Sequence, residues 1–362
     1  MFRLSPPRIL FAIAVFSACA IAPATVSAQA ATPLWTFAVS GDSRNCGDFV
    51  MPAIAAKVKA ENDSFYWHLG DFRWISQPDQ DLLAMLPPGT PAPSTDDYRQ
   101  MAWDDFLKYQ MPAFGSTPVF LGRGNHETIA PMTREEYISK FSSFLDRPEI
   151  AAQRITDGAA GAPVGPWYHW TQGWVDFITL DNSSHEEFSD AQLKWLRGVL
   201  DHDLQPNSGV KAIVAGMHEA LPHSTGSEHA MDDWDLGLRT GELLYTWFYD
   251  AQAAGKHVYL IASHSHYYSP NVFNTPYWKQ HSATVVPGWI MGAAGAHRYL
   301  LPKTAEKGAR THIYGYMQGA VLPDGSIDFT LHELTEDDLV QAKWPNAPLD
   351  AIHECYIHNA DE

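Results

Sequence analysis

Thr117-Pro118-Val119-Phe120-Leu121 leads through Gly122-Arg123 into Gly124-Asn125-His126-Glu127. The run over 117–121 reads as a strand, and the glycine-marked turn after it offers an amide oxygen, an imidazole and a carboxylate side by side. The pattern recurs along the chain. Gly41-Asp42 closes the strand-like run 34–40, Gly70-Asp71 closes 65–69, His218 follows 210–216, and Ser263-His264-Ser265-His266 follows 257–262. Five apparent strands therefore end on turns that carry metal-ligand side chains. A single Asp or Asn in a turn is ordinary; several such groups in one fold define a candidate site.

Apolar residues at helical spacing predict helices over 49–59, 191–200 and 242–254. Strands followed by helices early in the chain imply βα units, with the ligand turns at the strands' carboxyl ends. Residues 167–170, 174–180, 285–291, 313–318 and 326–332 read as further strands, and Pro323-Asp324-Gly325 within 319–326 signals a hairpin. Two stretches, 77–97 and 155–166, are rich in turn-forming or small residues and read as solvated loops.

Acidic residues number 42 against 24 basic ones, giving a formal charge of −18 over 362 residues. So acidic a surface repels phosphate backbones, and no nucleic-acid partner is expected. A small phosphorylated substrate would then need a local cationic centre, such as bound metal ions. The N-terminus shows Arg3 and Arg8, an apolar run over 9–21, and small residues through Ala28 and Ala30. This is signal-peptide architecture over 1–30, which implies an exported chain, periplasmic or secreted, whose mature part, 31–362, forms a single domain. The apolar run falls short of the roughly 20 residues that a spanning helix needs, so no membrane span is expected after its removal. Cys46 and Cys355 remain in the mature chain and can form a bridge or stay as two thiols.

The order of the five turns resembles that of the calcineurin-like metallophosphoesterases, which run Gly-Asp-x-His, Gly-Asp, Gly-Asn-His-Asp/Glu, a lone His, then Gly-His-x-His. Mid-chain, Trp167-Tyr168-His169-Trp170, the run from Val175 to Asp181, and Gln192-Leu193-Lys194-Trp195-Leu196 are similar to the purple acid phosphatase branch. The resemblance implies an α/β fold, a four-layer α/β/β/α sandwich of two mixed β-sheets flanked by helices. It also implies a phosphoesterase that uses metal-bound hydroxide at a centre of two divalent ions, which clamp the attacking and leaving oxygens. By the family pattern, Asp71, Asn125, His218 and His264 hold one ion, and Asp42, Asp71 and His266 hold the other, with Asp71 as bridge. His126 would assist the leaving group, and Glu127 would support an imidazole.

Five positions depart from the pattern. Arg44 stands where a metal-binding His is usual, and a guanidinium cannot ligate a metal. It can point away and leave that ion to three protein groups and water, pair with Asp42 and weaken the site, or reach the substrate phosphate as a catalytic donor; a two-metal site whose first ion is weakly bound is expected. Ser263 replaces a Gly. Trp74 occupies the place of the tyrosine that binds ferric iron in the purple enzymes, so Zn, Mn or Fe(II) is expected instead. Glu219-Ala220 follows His218 where His-Pro is common, and a carboxylate facing the pocket would favour diesters over monoesters. His223, His229 and His297 read as surface histidines, and the six tryptophans near the turns read mainly as core. The reading from another class is a non-catalytic scaffold that binds a phosphorylated ligand, its first metal site disabled by Arg44.

Overall fold

A computed structural model describes Met1 and residues 32–183, 187–226 and 229–361. The expected leader over 1–30 lies outside the described residues, apart from Met1. Among the described residues eleven strands form two sheets: β1 (Trp35–Ser40), β2 (Tyr66–His68), β3 (Val119–Leu121), β4 (Tyr168–Gln172), β5 (Val175–Thr179), β6 (Ala212–Gly216), β7 (His257–Ala262), β8 (Tyr268–Pro270), β9 (Gly288–Met291), β10 (Tyr314–Val321) and β11 (Ile327–Leu334). The first sheet runs β11-β10-β1-β2-β3 and the second β4-β5-β6-β7-β9-β8.

Register places the site. β1, β2 and β3 pair in parallel with Ser40 opposite His68 and His68 opposite Leu121, so the turns carrying Asp42, Asp71 and Asn125 leave one sheet edge together. In the second sheet β6 and β7 are parallel, with Gly216 opposite Ile261, which brings the turns of His218 and His264 to a common edge. The two edges are joined by the backbone: Gly41 N–H donates to Met291 O at 3.0 Å, and Ala294 N–H to Gly41 O at 3.1 Å.

The sheets face each other across an aromatic layer. Phe37, Phe65 and Phe120 of the first sheet and its approach meet Trp170 and Phe177 of the second, with Phe120 and Trp170 stacked at 3.8 Å. Trp67 and Trp170 are fully buried there, and Trp174 and Trp289 pack against the same core, so these rings hold the sandwich together rather than meet a ligand. On the outer face of the second sheet, Leu196, Leu200, Leu244 and Phe248 from helices Asp190–Asp203 and Asp235–Ala253 cover Ile213, Val258 and Leu260. Helix Gly47–Ala60 covers the first sheet, which completes the expected four layers. Pro33–Glu362 cluster as one compact unit. Among the described residues no helix is long and apolar enough to cross a membrane.

The 77–97 segment departs from the solvated loop expected of it. It contains helix Gln80–Met85, and the next helix begins at Thr95. Asp79 and Asp81 are fully buried beneath the first ligand turn: Asn45 N–H donates to Asp79 at 2.6 Å, and Asp48 N–H to Asp81 at 2.7 Å. The buried Arg73 guanidinium gathers Asp48 at 2.5 Å, Asp81 at 3.1 Å and Asp105. Cys46 and Cys355 form a disulfide that ties helix Leu349–His358 to the start of helix Gly47–Ala60.

One guanidinium does not neutralise this carboxylate group. Burial pushes Asp48 up to about 7 despite Arg73, and raises Asp81 and Asp105 as well. The folded chain therefore keeps protons that the unfolded chain, titrating near 4, has released. Stabilisation from these protons is complete below about pH 4 and is lost as the pH rises towards 7. Thermal melts of the chelated protein should show a larger fall in melting temperature between pH 5 and 8 than the same melts of Asp48→Asn. Equal slopes in the two proteins would refute the assignment.

Candidate metal centre

Asp42, Asp71 and His264 share an uncommon local geometry, with φ of 63°, 58° and 62° respectively. Left-handed backbone in a non-glycine residue is held by its surroundings. Here Asp42 N–H donates to Gly70 O at 2.9 Å, Ser43 N–H to Asp71 O at 3.0 Å, and His264 N–H to Oδ2 of Asp42 at 2.8 Å. The second and third turns touch so closely that a Cβ on Gly124 would lie 2.2 Å from Oδ1 of Asp71, and one on Gly70, at φ +103°, 2.4 Å from Gly124 N. Glycine is required at both places.

Glu127 does different work from that expected. Its buried carboxylate holds no imidazole; it accepts N–H bonds from Asp71 and Phe72 at 2.9 Å and from Gly124 at 2.7 Å. It thereby clamps the second turn to the third. Burial, with the charge of Asp71, pushes its carboxyl up to about 7. Ser263, in the place of a glycine, donates to Leu69 O at 3.1 Å and lies 3.1 Å from Nδ1 of His218. The extra hydroxyl thus joins the support of a proposed ligand.

Asp71, His218 and His264 each present one ligand atom, all within 4.8 Å of one another. Nδ1 of His218 lies 3.0 Å from Leu69 O and donates to it, which leaves Nε2 as the lone pair. That nitrogen is 3.0 Å from Oδ1 of Asn125, 3.0 Å from Nδ1 of His264 and 3.3 Å from Oδ1 of Asp71. Acceptors facing one another at such distances need a proton or a cation among them. Burial favours neutral His218, yet Asp71 overcomes it and raises the imidazole to about 10. Burial also works against ionised Asp71, but His126, His218 and Arg44 hold its carboxyl well below the usual range. The four residues therefore fit a divalent ion whose donors are a carboxylate, an amide oxygen and two imidazoles.

The other half of the site is arranged differently. Asp42, Asp71 and His266 do come together: Oδ1 of Asp42 lies 3.4 Å from Nε2 of His266. Oδ1 of Asp42 and Oδ2 of Asp71 are buried without hydrogen-bond partners. Arg44 neither points away nor pairs with Asp42, and its guanidinium lies between His126, His266 and Asp71. His126, 8% exposed, donates from Nδ1 to Trp74 O and accepts from Arg44 through Nε2 at 2.9 Å. In that state Nε2 carries no proton to give.

Arg44, Trp74, His297 and Tyr299 line an adjoining cleft of about 690 Å³. Tyr299 was not legible as a site residue; it accepts from Arg44 at 3.3 Å and stacks on His266 at 4.0 Å. Its turn follows β9 and is tied to the first ligand turn by Ala296 N–H to Asp42 O at 2.8 Å, a contact without a sequence signal. His229 also belongs to the site margin, 5.1 Å from Tyr299 and 5.5 Å from His264 between ring centroids. His223 lies apart, bonded to Glu242 at 2.8 Å. Glu219 is buried beside His218, and its charge acts on that imidazole.

No protein-family model matches the chain, and no curated protein does. Among solved structures, a purple acid phosphatase from yellow lupin (Lupinus luteus) seeds is similar with a TM-score of 0.51 at 13% identity, covering 86% of this chain and 56% of that one. A dimetal phosphatase from Danio rerio is similar with a TM-score of 0.50 at 12% identity, covering 83% and 96% respectively. The fold is thus the calcineurin-like metallophosphoesterase fold. The chain spans little more than half the length of the lupin protein.

Proposed function

We propose that the chain is a metal-dependent phosphoesterase acting on a small phosphorylated molecule. The observation that carries this reading is the convergence of Asp71, Asn125, His218 and His264 beside the cleft that Arg44 lines. When bound, the divalent ion supplies charge neutralisation and water activation near neutral pH. The cleft is of a size that receives a small organic ester. The guanidinium of Arg44 gives phosphoryl oxygens a planar, charged donor.

His126 holds that guanidinium through Nε2. Once phosphoryl oxygens take the Arg44 N–H groups, the Nε2 lone pair is free to take a proton from solvent and then pass it to the leaving oxygen. Against its burial, His126, His218 and Arg44 hold the Asp71 carboxyl well below the usual range, so it stays anionic and draws a cation to the cluster. The leader-like segment over 1–30 supports export to the periplasm or beyond the cell.

The test is an assay of metal-reconstituted protein against p-nitrophenyl phosphate and bis-p-nitrophenyl phosphate. Release of p-nitrophenol from at least one ester, abolished by chelator and restored by Zn or Mn, is the expected result. Arg44 at the first site also admits a scaffold that binds phosphate without cleaving it. Metal and phosphate binding with no turnover of either ester would select that scaffold.

A further inference from the structure

Two imidazole lone pairs that could meet a cation are already engaged. Nη1 of Arg44 donates to Nε2 of His126 and Nη2 to Nε2 of His266, both at 2.9 Å. A guanidinium has no acceptor, so both rings accept. Each is held in that tautomer from behind, Nδ1 of His266 donating to His297 O at 2.5 Å and Nδ1 of His126 to Trp74 O. Tyr299 fixes the same group from the side, as acceptor for Nη2 and as a ring stacked on His266. On the far side Nε of Arg44 lies 3.8 Å from Oδ2 of Asp71.

Asp71 is thereby divided. Its Oδ1 faces His218 at 3.3 Å, in the cluster that fits a divalent ion, and its Oδ2 faces the guanidinium. A second ion among Asp42, Asp71 and His266 would reach an unpartnered oxygen of each carboxylate, but it would have to displace the Arg44 N–H from Nε2 of His266. It would also lie against a fixed positive charge that is only 8% exposed.

We infer that the Arg44 guanidinium replaces the first cation, so that the centre holds one divalent ion, at Asp71, Asn125, His218 and His264. This rests on the proposed function only in taking that cluster as a metal site. Arg44 then serves as the fixed positive partner of the ion. It differs from a metal in carrying one charge, being unable to leave, and binding phosphoryl oxygens through directed N–H groups. His126, His266 and Tyr299 act as positioning residues for it.

The experiment is metal analysis of the full chain after loading with Mn(II) and exhaustive dialysis, with the electron paramagnetic resonance spectrum of the same sample. The wild-type protein is expected to retain about one ion, with the spectrum of an isolated Mn(II). Asp42→Asn should leave that count unchanged, whereas Arg44→His should raise it to about two and give an exchange-coupled pair. Two ions per wild-type chain with a coupled spectrum would overturn the inference and leave the proposed function standing. No retained ion in the wild-type protein would remove the proposed function and this inference with it.

Discussion

Asp71→Asn is expected to lower phosphoester turnover by roughly 10³-fold, equivalent to about 4 kcal/mol of lost transition-state stabilisation. Asparagine keeps the size of the side chain, and its Oδ1 can still accept the His126 N–H bond found at 3.0 Å. The loss therefore reports on charge rather than on collapse of the turn. Asp71 is the one residue whose two oxygens face the ion cluster and the guanidinium at once. Removing its charge leaves Arg44 without a counter-ion on that side and removes the anionic donor of the cluster. Retention of bound metal and rate in Asp71→Asn, with an unchanged near-ultraviolet dichroism spectrum, would contradict its assigned place.

Loss of the disulfide should have the largest effect on stability. Cys46 and Cys355 are 309 residues apart in sequence and both fully buried, so the bridge closes nearly the whole folded unit into one loop. Removing a native disulfide destabilises by about 2–5 kcal/mol, mainly because the unfolded chain regains freedom. The Cys46→Ser/Cys355→Ser double variant avoids a stray thiol, and its denaturant midpoint should fall accordingly. Arg44 lies two residues before Cys46, and Cys46 N–H donates to Gly295 O at 3.1 Å, so the KM for a phosphoester should rise as well. An unchanged midpoint in the oxidised wild-type and double-variant proteins would show that the bridge adds nothing to the fold.

The strand-then-turn pattern was legible because each βα unit repeats it: an apolar run that parallel pairing buries, then a glycine or polar turn at the carboxyl end. Asp42, Asp71, Asn125, His218, His264 and His266 all converge for that reason. The helices between Thr133 and Thr156 carry one clear sequence signal, the capping box that Thr133 and Glu136 form at the start of one of them. The direction of Arg44 was not legible, because it depends on Asp79 and Asp81 anchoring the neighbouring backbone from more than 30 residues away. The clamping role of Glu127 is hidden in the sequence for a related reason. Its partners are backbone amides of another turn, and backbone donors carry no sequence identity. Tyr299 reaches the site from a turn after β9 that has no ligand-like spacing.

The proposed phosphoester hydrolysis depends on a divalent ion at Asp71, Asn125, His218 and His264. The most direct measurement is a titration of chelator-stripped wild-type protein with Mn(II), following bound metal and p-nitrophenyl ester hydrolysis in the same sample. Turnover is expected to be absent before metal is added, and the rate to rise with bound ion and level off when the cluster is filled. Turnover that persists with no bound metal, or none at full occupancy with either the monoester or the diester, would contradict the proposal.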